Sequence, residues 1–343
     1  MKQNDQGTVT VQDVARVAGV SVASVSRALN NGSVRPAMRE KVKAAADKLG
    51  YVPHGAAQAL KLRRSRTIGA IIPTLENPNF AVGVEAMQRH VMNAGYTLLL
   101  SSSNYDPNQE FAQVKTLVGR GVDGIMLVGS EHDPDLYQFL DSKKVPRVST
   151  WVLCEEDINP SVGFDNKKAA IDLATYLLDL GHKDFGIIAG LSATNDRAQA
   201  RVDGIQEALA KNGLSVPAQQ LIEKPYKIFE GQLAMRSFLA MEKPPTAVIC
   251  GNDLLAFGAL TECQMQGVRV PDEVSIAGFD DLDFAARLVP PLTTIRVPAD
   301  EIGIKAAEYL LARIENKKMM SNTEIEVNLV VRGSTGPSRT RRN

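Results

Sequence analysis

The chain has 343 residues, more than one ordinary hydrophobic core supports, which indicates two or three domains. Its 44% hydrophobic and 23% charged residues are typical of a soluble globular protein, and no apolar run is long enough to cross a membrane. The formal net charge of zero conceals an asymmetry: residues 1–66 hold twelve Lys and Arg against four Asp and Glu, a charge of +8, which leaves about −8 on the rest. A basic segment on an acidic body is expected when one domain binds a polyanion, although a solvated basic face would give the same count.

The N-terminus and the cysteines predict the compartment. Residues 1–10 are polar and lack the apolar core of an export signal, so we expect a cytoplasmic, nucleoid-associated protein. Cys154, Cys250 and Cys263 stand far apart in apolar surroundings, as reduced core thiols do. Neither the cysteines nor the four histidines have the spacing of a metal site, and we expect no metal and no cofactor.

Two short helices separated by a glycine are the first predicted elements. Thr10 can cap the first helix, Gly19 ends it, and Ser21 can cap the second. Each helix repeats apolar residues on one face: Val11, Val14, Ala15 and Ala18 in the first, and Val22, Val25, Ala28 and Leu29 in the second. Two helices joined in this way are typical of the helix-turn-helix, but also of unrelated bundles. The small and hydrogen-bonding residues at the start of the second helix favour the helix-turn-helix, since they let its N-terminus enter a major groove.

A third helix is predicted from Pro36 to Leu49, with the proline in its first turn and Gly50 after its end. An alanine-rich segment with basic flanks follows at 54–66. This segment could be a plain linker. It could also be a helix that lies in a minor groove and pushes Leu60 between base steps.

From Thr67 onward, apolar runs alternate with amphipathic patterns. Strands are predicted at 68–73, 96–100, 124–128, 145–150, 185–189, 247–250, 274–279, 294–297 and 324–331, and helices at 80–94, 109–120, 167–181, 197–212 and 253–266. This alternation predicts an α/β body of two doubly wound parallel sheets, with a ligand cleft at the carboxyl ends of the strands. We expect an N-subdomain of about 67–163 and 295–322, a C-subdomain of about 164–294 and 323–336, and a basic tail at 337–343.

Motifs along the whole chain resemble the lactose-repressor (LacI/GalR) family. The headpiece motifs are Asp13-Val14-Ala15, Ala18-Gly19-Val20-Ser21, Val25-Ser26-Arg27, Arg39-Glu40-Lys41-Val42 and Leu49-Gly50-Tyr51-Val52-Pro53. Those of the body are Gly181-His182, Arg201 with Gly204, Asn252-Asp253, Gly278-Phe279-Asp280-Asp281, Pro291-Leu292-Thr293-Thr294 and Val331-Arg332-Gly333-Ser334-Thr335. The resemblance implies an all-α helix-turn-helix headpiece at 1–53, a hinge helix at 54–66 and a periplasmic-binding-protein-like sensor for effector binding and dimerisation at 67–336.

The resemblance further implies a repressor that binds pseudo-palindromic double-stranded operator DNA. The tail shows no leucine heptad of the kind that forms the tetramerising zipper of the family. A homodimer is therefore the expected state. The family positions that meet DNA correspond to Thr10, Ser21, Val22, Ala23, Ser24, Ser26, Arg27 and Asn30 in the headpiece and to Ala57, Leu60 and Lys61 in the hinge. Val22 and Ala23 would contact thymine methyl groups, and Arg27 a guanine or a phosphate.

A small-molecule effector in the sensor cleft, such as a sugar, a sugar acid or a related metabolite, is also implied. Arg201, Asn252 and Asp280 match the family positions that grip vicinal hydroxyl groups. Each has a structural alternative: an ion pair for Arg201, a turn for Asn252 and a helix cap for Asp280. Loops after predicted strands add the candidates Asn79, Phe80, Ser130 and Trp151. Phe80 and Trp151 could form apolar walls of the cleft, although Trp151 could also be an ordinary core residue. Trp151 stands where some sugar-responsive members carry an acidic residue.

The sequence favours a regulator over two other functional classes. An enzyme is disfavoured because no nucleophile elbow, phosphate loop or dinucleotide fingerprint follows a predicted strand. A periplasmic solute receptor would explain the body but not the basic helical headpiece. The residue types of the cleft suit an inducer and a corepressor equally, so the sequence leaves the direction of the response open.

Overall fold

Three helices form the described part of the N-terminal unit. The computed structural model describes residues 9–29, 32–52, 64–154 and 159–338, and the chain divides into two units, Met1–Ser65 and Arg66–Asn343. The helices α1 (Val11–Ala18), α2 (Val22–Leu29) and α3 (Pro36–Leu49) confirm the elements predicted for the headpiece. Asn30 and the segment 53–63, with Ala57, Leu60 and Lys61, lie outside the described residues, as does most of the tail. The hinge helix therefore stays a prediction.

Caps and a small apolar core explain these three helices. The Asp13 carboxylate accepts the Thr10 N–H at 3.0 Å while the Thr10 hydroxyl oxygen accepts the Asp13 N–H, which forms a capping box at the start of α1. Gly19 and Gly50 end α1 and α3 in the left-handed conformation that glycine adopts without strain. The apolar faces of the three helices meet around Val14, Val25 and Val42, which are fully buried.

Two six-stranded sheets form the centre of the second unit. In chain order the strands are β1 (Thr67–Ile72), β2 (Thr97–Ser102), β3 (Gly124–Val128), β4 (Arg147–Thr150), β5 (Ser161–Gly163), β6 (Phe185–Ala189), β7 (Leu221–Glu223), β8 (Ala247–Cys250), β9 (Ser275–Asp280), β10 (Thr293–Arg296), β11 (Asn322–Glu324) and β12 (Asn328–Val330). The first sheet has the order β11-β5-β4-β3-β1-β2, and the second has the order β12-β10-β9-β8-β6-β7. Every neighbouring pair is parallel except β10 and β12. The predicted doubly wound architecture is confirmed.

Helices cover these sheets and bury the apolar strands. They are α4 (Pro78–Asn93), α5 (Pro107–Gly119), α6 (Pro134–Lys143), α7 (Asn166–Asp179), α8 (Asp196–Lys211), α9 (Ile228–Leu239), α10 (Asp253–Gln266) and α11 (Ala299–Ile314). The pairs α4 and α11, α7 and α8, and α9 and α10 pack side by side. In the first pair, Gly303 meets the Gly83 carbonyl so closely that a Cβ would overlap it, which requires glycine there. Among the described residues, no helix combines the length and the apolar character of a membrane span.

The chain changes sheets after β5, after β10 and between β11 and β12. Two predicted subdomain boundaries are wrong by a few residues. The boundary at 294/295 falls inside β10, which pairs with β9 and β12 of the second sheet, and the boundary at 322/323 falls inside β11, which pairs with β5 of the first sheet. The single strand predicted over 324–331 is two strands, β11 and β12, that belong to different sheets. The sequence pattern also missed β5, β7, α6, α9 and α11. These crossings bring the loops after the strands of one sheet opposite those of the other.

Candidate functional site

The outer face of α2 forms the candidate DNA-reading surface. Val25 and Ala28 point into the headpiece core, whereas Ser21, Val22, Ala23 and Arg27 are exposed and Ser24 and Ser26 are half-buried. The Ser21 and Ser24 hydroxyls lie 2.9 Å apart, and the Ser21 Oγ accepts the Ser24 N–H at 3.2 Å. Since the Ser21 hydroxyl caps the helix and the Ser24 hydroxyl contacts it, the exposed surface of α2 consists chiefly of the apolar pair Val22-Ala23 and the cation Arg27. Thr10, also exposed, uses its side chain in the α1 cap.

A small cavity lies between the two sheets of the second unit. It is lined by Asn77, Asn79, Phe80, Tyr105 and Trp151 from the first subdomain and by Asn195, Arg197, Arg201, Tyr226, Asn252 and Asp280 from the second. This set contains every predicted effector residue except Ser130. The cavity joins polar and aromatic side chains from both sides of the cleft, which is the usual composition of a small-molecule site.

Arg201, on α8, is the most firmly held of the cleft cations. Its Nε donates to the Asn166 Oδ1 at 3.0 Å, and its Nη1 donates to the Gly251 carbonyl at 2.6 Å. The guanidinium carbon lies 3.7 Å from the centre of the Phe279 ring, in a cation–π contact. Asn166 in turn donates to the Trp151 carbonyl at 2.9 Å. Among the residues that the structure describes, the guanidinium is fixed by an amide, a carbonyl and a ring, and it forms no direct ion pair, which was the structural alternative.

Asp280 and Asn252 each have a buried polar atom that no described residue pairs. Asp280 ends β9, and its Oδ2 has no hydrogen-bond partner among the described residues. Burial raises the pKa of Asp280 to about 6, although the charge of Arg201 and the amides of Asn77 and Asn79 act to lower it. Asn252 caps α10, since its Oδ1 accepts the Leu255 N–H at 3.0 Å, but its Nδ2 is left without a described partner. An acceptor and a donor therefore face the cavity together.

Four aromatic rings line the cavity. Phe80 and Trp151 meet edge to face with their centroids 5.1 Å apart, and the Trp151 indole N–H donates to the Asn79 Oδ1 at 3.0 Å. Trp151 is therefore both part of the packed core and a wall of the cleft. Tyr105 and Tyr226 come from different subdomains and have centroids 6.3 Å apart. Burial raises the pKa of both phenols, so they stay neutral hydrogen-bonding groups.

Five lining residues were not among the predicted effector residues: Asn77, Tyr105, Asn195, Arg197 and Tyr226. Tyr105 follows the end of β2, so the rule that ligands sit beyond the carboxyl ends of strands could have found it. Tyr226 follows β7, a short edge strand that was itself not predicted. Arg197 begins a predicted helix and lies in the first turn of α8, but no sequence pattern distinguished it from its neighbours.

Ser130 does not line the cavity, contrary to the prediction. Its hydroxyl donates to the Asp196 Oδ2 at 2.8 Å, and its N–H donates to the same oxygen at 2.6 Å. Ser130 follows β3 in the first subdomain and Asp196 begins α8 in the second, so this contact spans the cleft. The local sequence could not show it, because the two residues are far apart in the chain.

The sequence matches two protein families and many known proteins. Residues 10–54 match the bacterial regulatory proteins of the lacI family, and residues 174–335 match the periplasmic binding protein-like domain. The chain is 35% identical to the HTH-type transcriptional repressor CytR of Escherichia coli over 338 residues, which are 98% of this chain and 99% of that one. It is 32% identical to the HTH-type transcriptional repressor PurR of Photobacterium profundum over 328 residues, 95% and 98% of the two chains.

A solved structure of the lac repressor dimer bound to operator and the anti-inducer ONPF is similar over 96% of this chain and 100% of that chain, with a TM-score of 0.85 and 27% identity. The predicted combination of a helix-turn-helix headpiece with a periplasmic-binding-protein-like sensor is confirmed by these matches. The relatives are transcriptional repressors and not enzymes.

Proposed function

Because the chain belongs to the lacI family of bacterial regulatory proteins and is a DNA-binding transcriptional repressor, we propose that it binds a pseudo-palindromic operator as a homodimer under the control of a small molecule in the sensor cleft. One observation carries the effector half of this proposal: the Asn252 Nδ2 and the Asp280 Oδ2 are buried at the cavity and have no partner among the described residues. Buried polar atoms are almost always paired in proteins, so such a donor and acceptor suit a bound ligand. Because operator DNA lies in the cytoplasm of a bacterium, we infer that the protein acts there.

The DNA half of the proposal concerns α2. Its N-terminal residues are small and exposed, which allows the helix to approach base edges in the major groove. Val22 and Ala23 would contact thymine methyl groups, and Arg27 would contact a guanine or a phosphate. The hinge residues Ala57, Leu60 and Lys61 are proposed to follow the minor groove, with Leu60 as the wedge.

The effector that best fits the cleft combines hydroxyl groups with a flat face. Asp280 offers an acceptor, Asn252 offers a donor, and Arg201 offers a fixed guanidinium; together they suit the vicinal hydroxyls of a sugar, a sugar acid or a derivative. Phe80 and Tyr105 supply aromatic surfaces against which the face of a sugar ring or an attached planar group can pack.

Helix α4 supports a link between the effector and the dimer. Asn79 and Phe80, in its first turn, line the cavity. The same helix exposes Val82 and Met92, and Leu100 of β2 is also partly exposed. Exposed apolar side chains of this kind are typical of interaction surfaces. A ligand that moves the start of α4 would therefore move the surface that we propose for dimerisation, and with it the spacing of the two headpieces.

The DNA half is tested with an operator enriched from random duplexes on the full chain. In gel shifts the affinity should fall at least about a hundredfold between 50 and 200 mM salt, as phosphate contacts require. The enriched sites should contain two inverted half-sites. Affinity that does not respond to salt, or sites without symmetry, would reject the proposal. In the same assay, Leu60→Ala should weaken binding and reduce DNA bending, and unchanged values would reject the wedge.

The effector half is tested by thermal shift. Free sugars, sugar acids, polyols and sugars that carry a planar ring are screened on the full chain, and each compound that stabilises it is added to the operator titration. At least one stabilising compound should change the operator affinity. Compounds that stabilise the protein without altering DNA binding would separate the cleft from regulation and contradict the proposal.

A further inference from the structure

Asp196 uses its two carboxylate oxygens in two directions. It is the first residue of α8, in the second subdomain. Its Oδ2 accepts the N–H and the hydroxyl of Ser130, at 2.6 and 2.8 Å, and the Glu131 N–H lies 3.4 Å from the same oxygen. Ser130 and Glu131 follow β3 of the first subdomain. The Oδ2 thus joins the two sides of the cleft through a charged acceptor, the stronger kind of hydrogen bond.

The other oxygen holds a cation of the cavity wall. Asp196 Oδ1 accepts from the Arg197 Nη1 at 2.7 Å and from the Arg197 N–H at 2.9 Å. Both side chains are almost buried, with 12% of Asp196 and 8% of Arg197 exposed, and Arg197 lines the cavity. An ion pair so shielded is screened little by salt.

The loop that meets Asp196 is shaped for this close approach. Gly129 has φ 97, a conformation that glycine adopts readily and other residues rarely do. A Cβ on Gly129 would overlap the Arg197 Nη1 and would lie 2.9 Å from the Asp196 Oδ1. Burial acts to raise the pKa of Asp196, but the charge of Arg197 and the hydrogen bonds from Ser130 outweigh it and lower the pKa, so the carboxylate is ionised at neutral pH.

We propose that Asp196 is a positioning residue that latches the two subdomains together through Ser130 and at the same time fixes Arg197 in the cavity wall. This inference rests on the proposed function only in giving Arg197 an effector to meet. When the cleft opens, Asp196 loses its bonds to Ser130, and Arg197 loses the close packing of Gly129 and is held by Asp196 alone. An effector group with acceptor oxygens, such as a carbonyl, a carboxylate or a phosphate, would then meet a correctly directed Arg197 only in the closed cleft.

Cleft closure can be measured without an effector or an operator, because Trp151 is the single tryptophan of the chain and lines the cavity. In the full chain, Asp196→Ala should raise acrylamide quenching of Trp151 at least about twofold. Ser130→Ala, which keeps the backbone N–H bond, should have a smaller effect. Asp203→Ala is the matched control, since Asp203 lies on the same helix with an exposed carboxylate bonded to Gln199. Equal quenching in Asp196→Ala and wild type would overturn the latch.

The orientation of Arg197 has its own readout. Phenylglyoxal modifies accessible guanidinium groups, and peptide mass spectrometry distinguishes Arg197 from Arg332, which does not line the cavity and is bonded to the Leu292 carbonyl and to Asp281. Asp196→Ala should raise the modification of Arg197 severalfold, Ser130→Ala should raise it less, and both should leave that of Arg332 low. A parallel rise at Arg332 would indicate general unfolding and reject the positioning role. If Asp196→Ala does not fold, Ser130→Ala still decides both readouts.

Neither measurement depends on the regulator function. A failed effector screen or a failed operator enrichment would contradict the proposed function and leave the latch result intact. If the protein regulates normally but the Asp196 and Ser130 variants show unchanged quenching and modification, the latch would be rejected and the proposed function would stand.

Discussion

The headpiece and the sensor cleft place their functional side chains in opposite environments. On α2, Val22 is 43% exposed and Arg27 is also exposed, while the core is made of other residues on the inner face. In the cleft, Arg201, Asn252 and Asp280 are at most 8% exposed and contact the surrounding fold. A headpiece variant can therefore lose function without losing stability. A cleft variant changes both, because its polar groups contribute to the free energy of unfolding.

Arg201→Ala should have the largest effect. The Asn166 Oδ1 and the Gly251 carbonyl would lose their donor, and the cation–π contact with Phe279 would disappear, so we expect the free energy of unfolding to fall by about 3 kcal/mol. Urea unfolding followed by Trp151 fluorescence measures this change. The effector response should vanish, while operator affinity stays unchanged.

A control on the same helix is Lys211→Ala, which removes only a surface ion pair with Glu207. Its stability and its effector response should match those of the wild type. If Arg201→Ala also lost operator binding, its role would be structural for the whole chain, and the separation of the two regions would fail.

Asp280→Asn should change stability in the opposite direction. Burial raises the pKa of Asp280 from its ordinary 3.8 to about 6, so the folded protein keeps a proton that the unfolded chain releases between these values. The stabilisation due to this group is therefore complete below about pH 4 and is lost as the pH rises through 6. At pH 7 the buried carboxylate costs up to about 3 kcal/mol, which asparagine would avoid.

The test of Asp280 compares stability across pH. Asp280→Asn should unfold at a higher temperature than the wild type at pH 7 and at nearly the same temperature near pH 4, while its effector response is lost. The exposed Asp283→Asn serves as a control and should match the wild type throughout. A wild type that is the more stable protein at pH 7 would show that Asp280 is a structural carboxylate.

The same contrast explains what the sequence could predict. The headpiece was predicted element by element because caps, glycine stops and a core around Val14 all lie within a few residues of one another. Strands such as β3, β6 and β8 were also predicted, since each is a fully buried apolar run bounded by polar residues. Local pattern was sufficient in both regions.

The rest of the cleft depends on contacts between distant segments. The half-buried edge strand β7 has no apolar run to reveal it, and Tyr226 was missed with it. Ser130 was assigned to the effector because it follows a strand, but its hydroxyl is occupied by Asp196 from the other subdomain. Which polar side chains are paired and which remain unpaired is decided by the folded structure and not by spacing.

Arg27→Ala tests the headpiece side of the comparison. Loss of one guanidinium contact to a guanine should lower operator affinity about ten- to hundredfold, and loss of a phosphate contact should lower it less and reduce the salt dependence. Because Arg27 is exposed, the melting temperature should not change. Lys48→Ala, at an exposed position on α3, controls for the loss of one positive charge. A stability loss in Arg27→Ala comparable to that of the cleft variants would break the comparison.

Glu76→Gln should have the smallest effect. It tests whether a contact across the cleft must be buried to control closure. Glu76 and Lys227 form an ion pair across the cleft, 3.5 Å long, with 67% and 59% of their side chains exposed. A pair so open to water and salt contributes at most about 0.5 kcal/mol, so quenching of Trp151 should stay at the wild-type level. Asp196 also spans the cleft but is almost buried, and its removal should raise the quenching. If Glu76→Gln and Asp196→Ala had equal effects, any contact across the cleft would control closure. Burial would then not be the property that distinguishes the cleft residues from those of the headpiece.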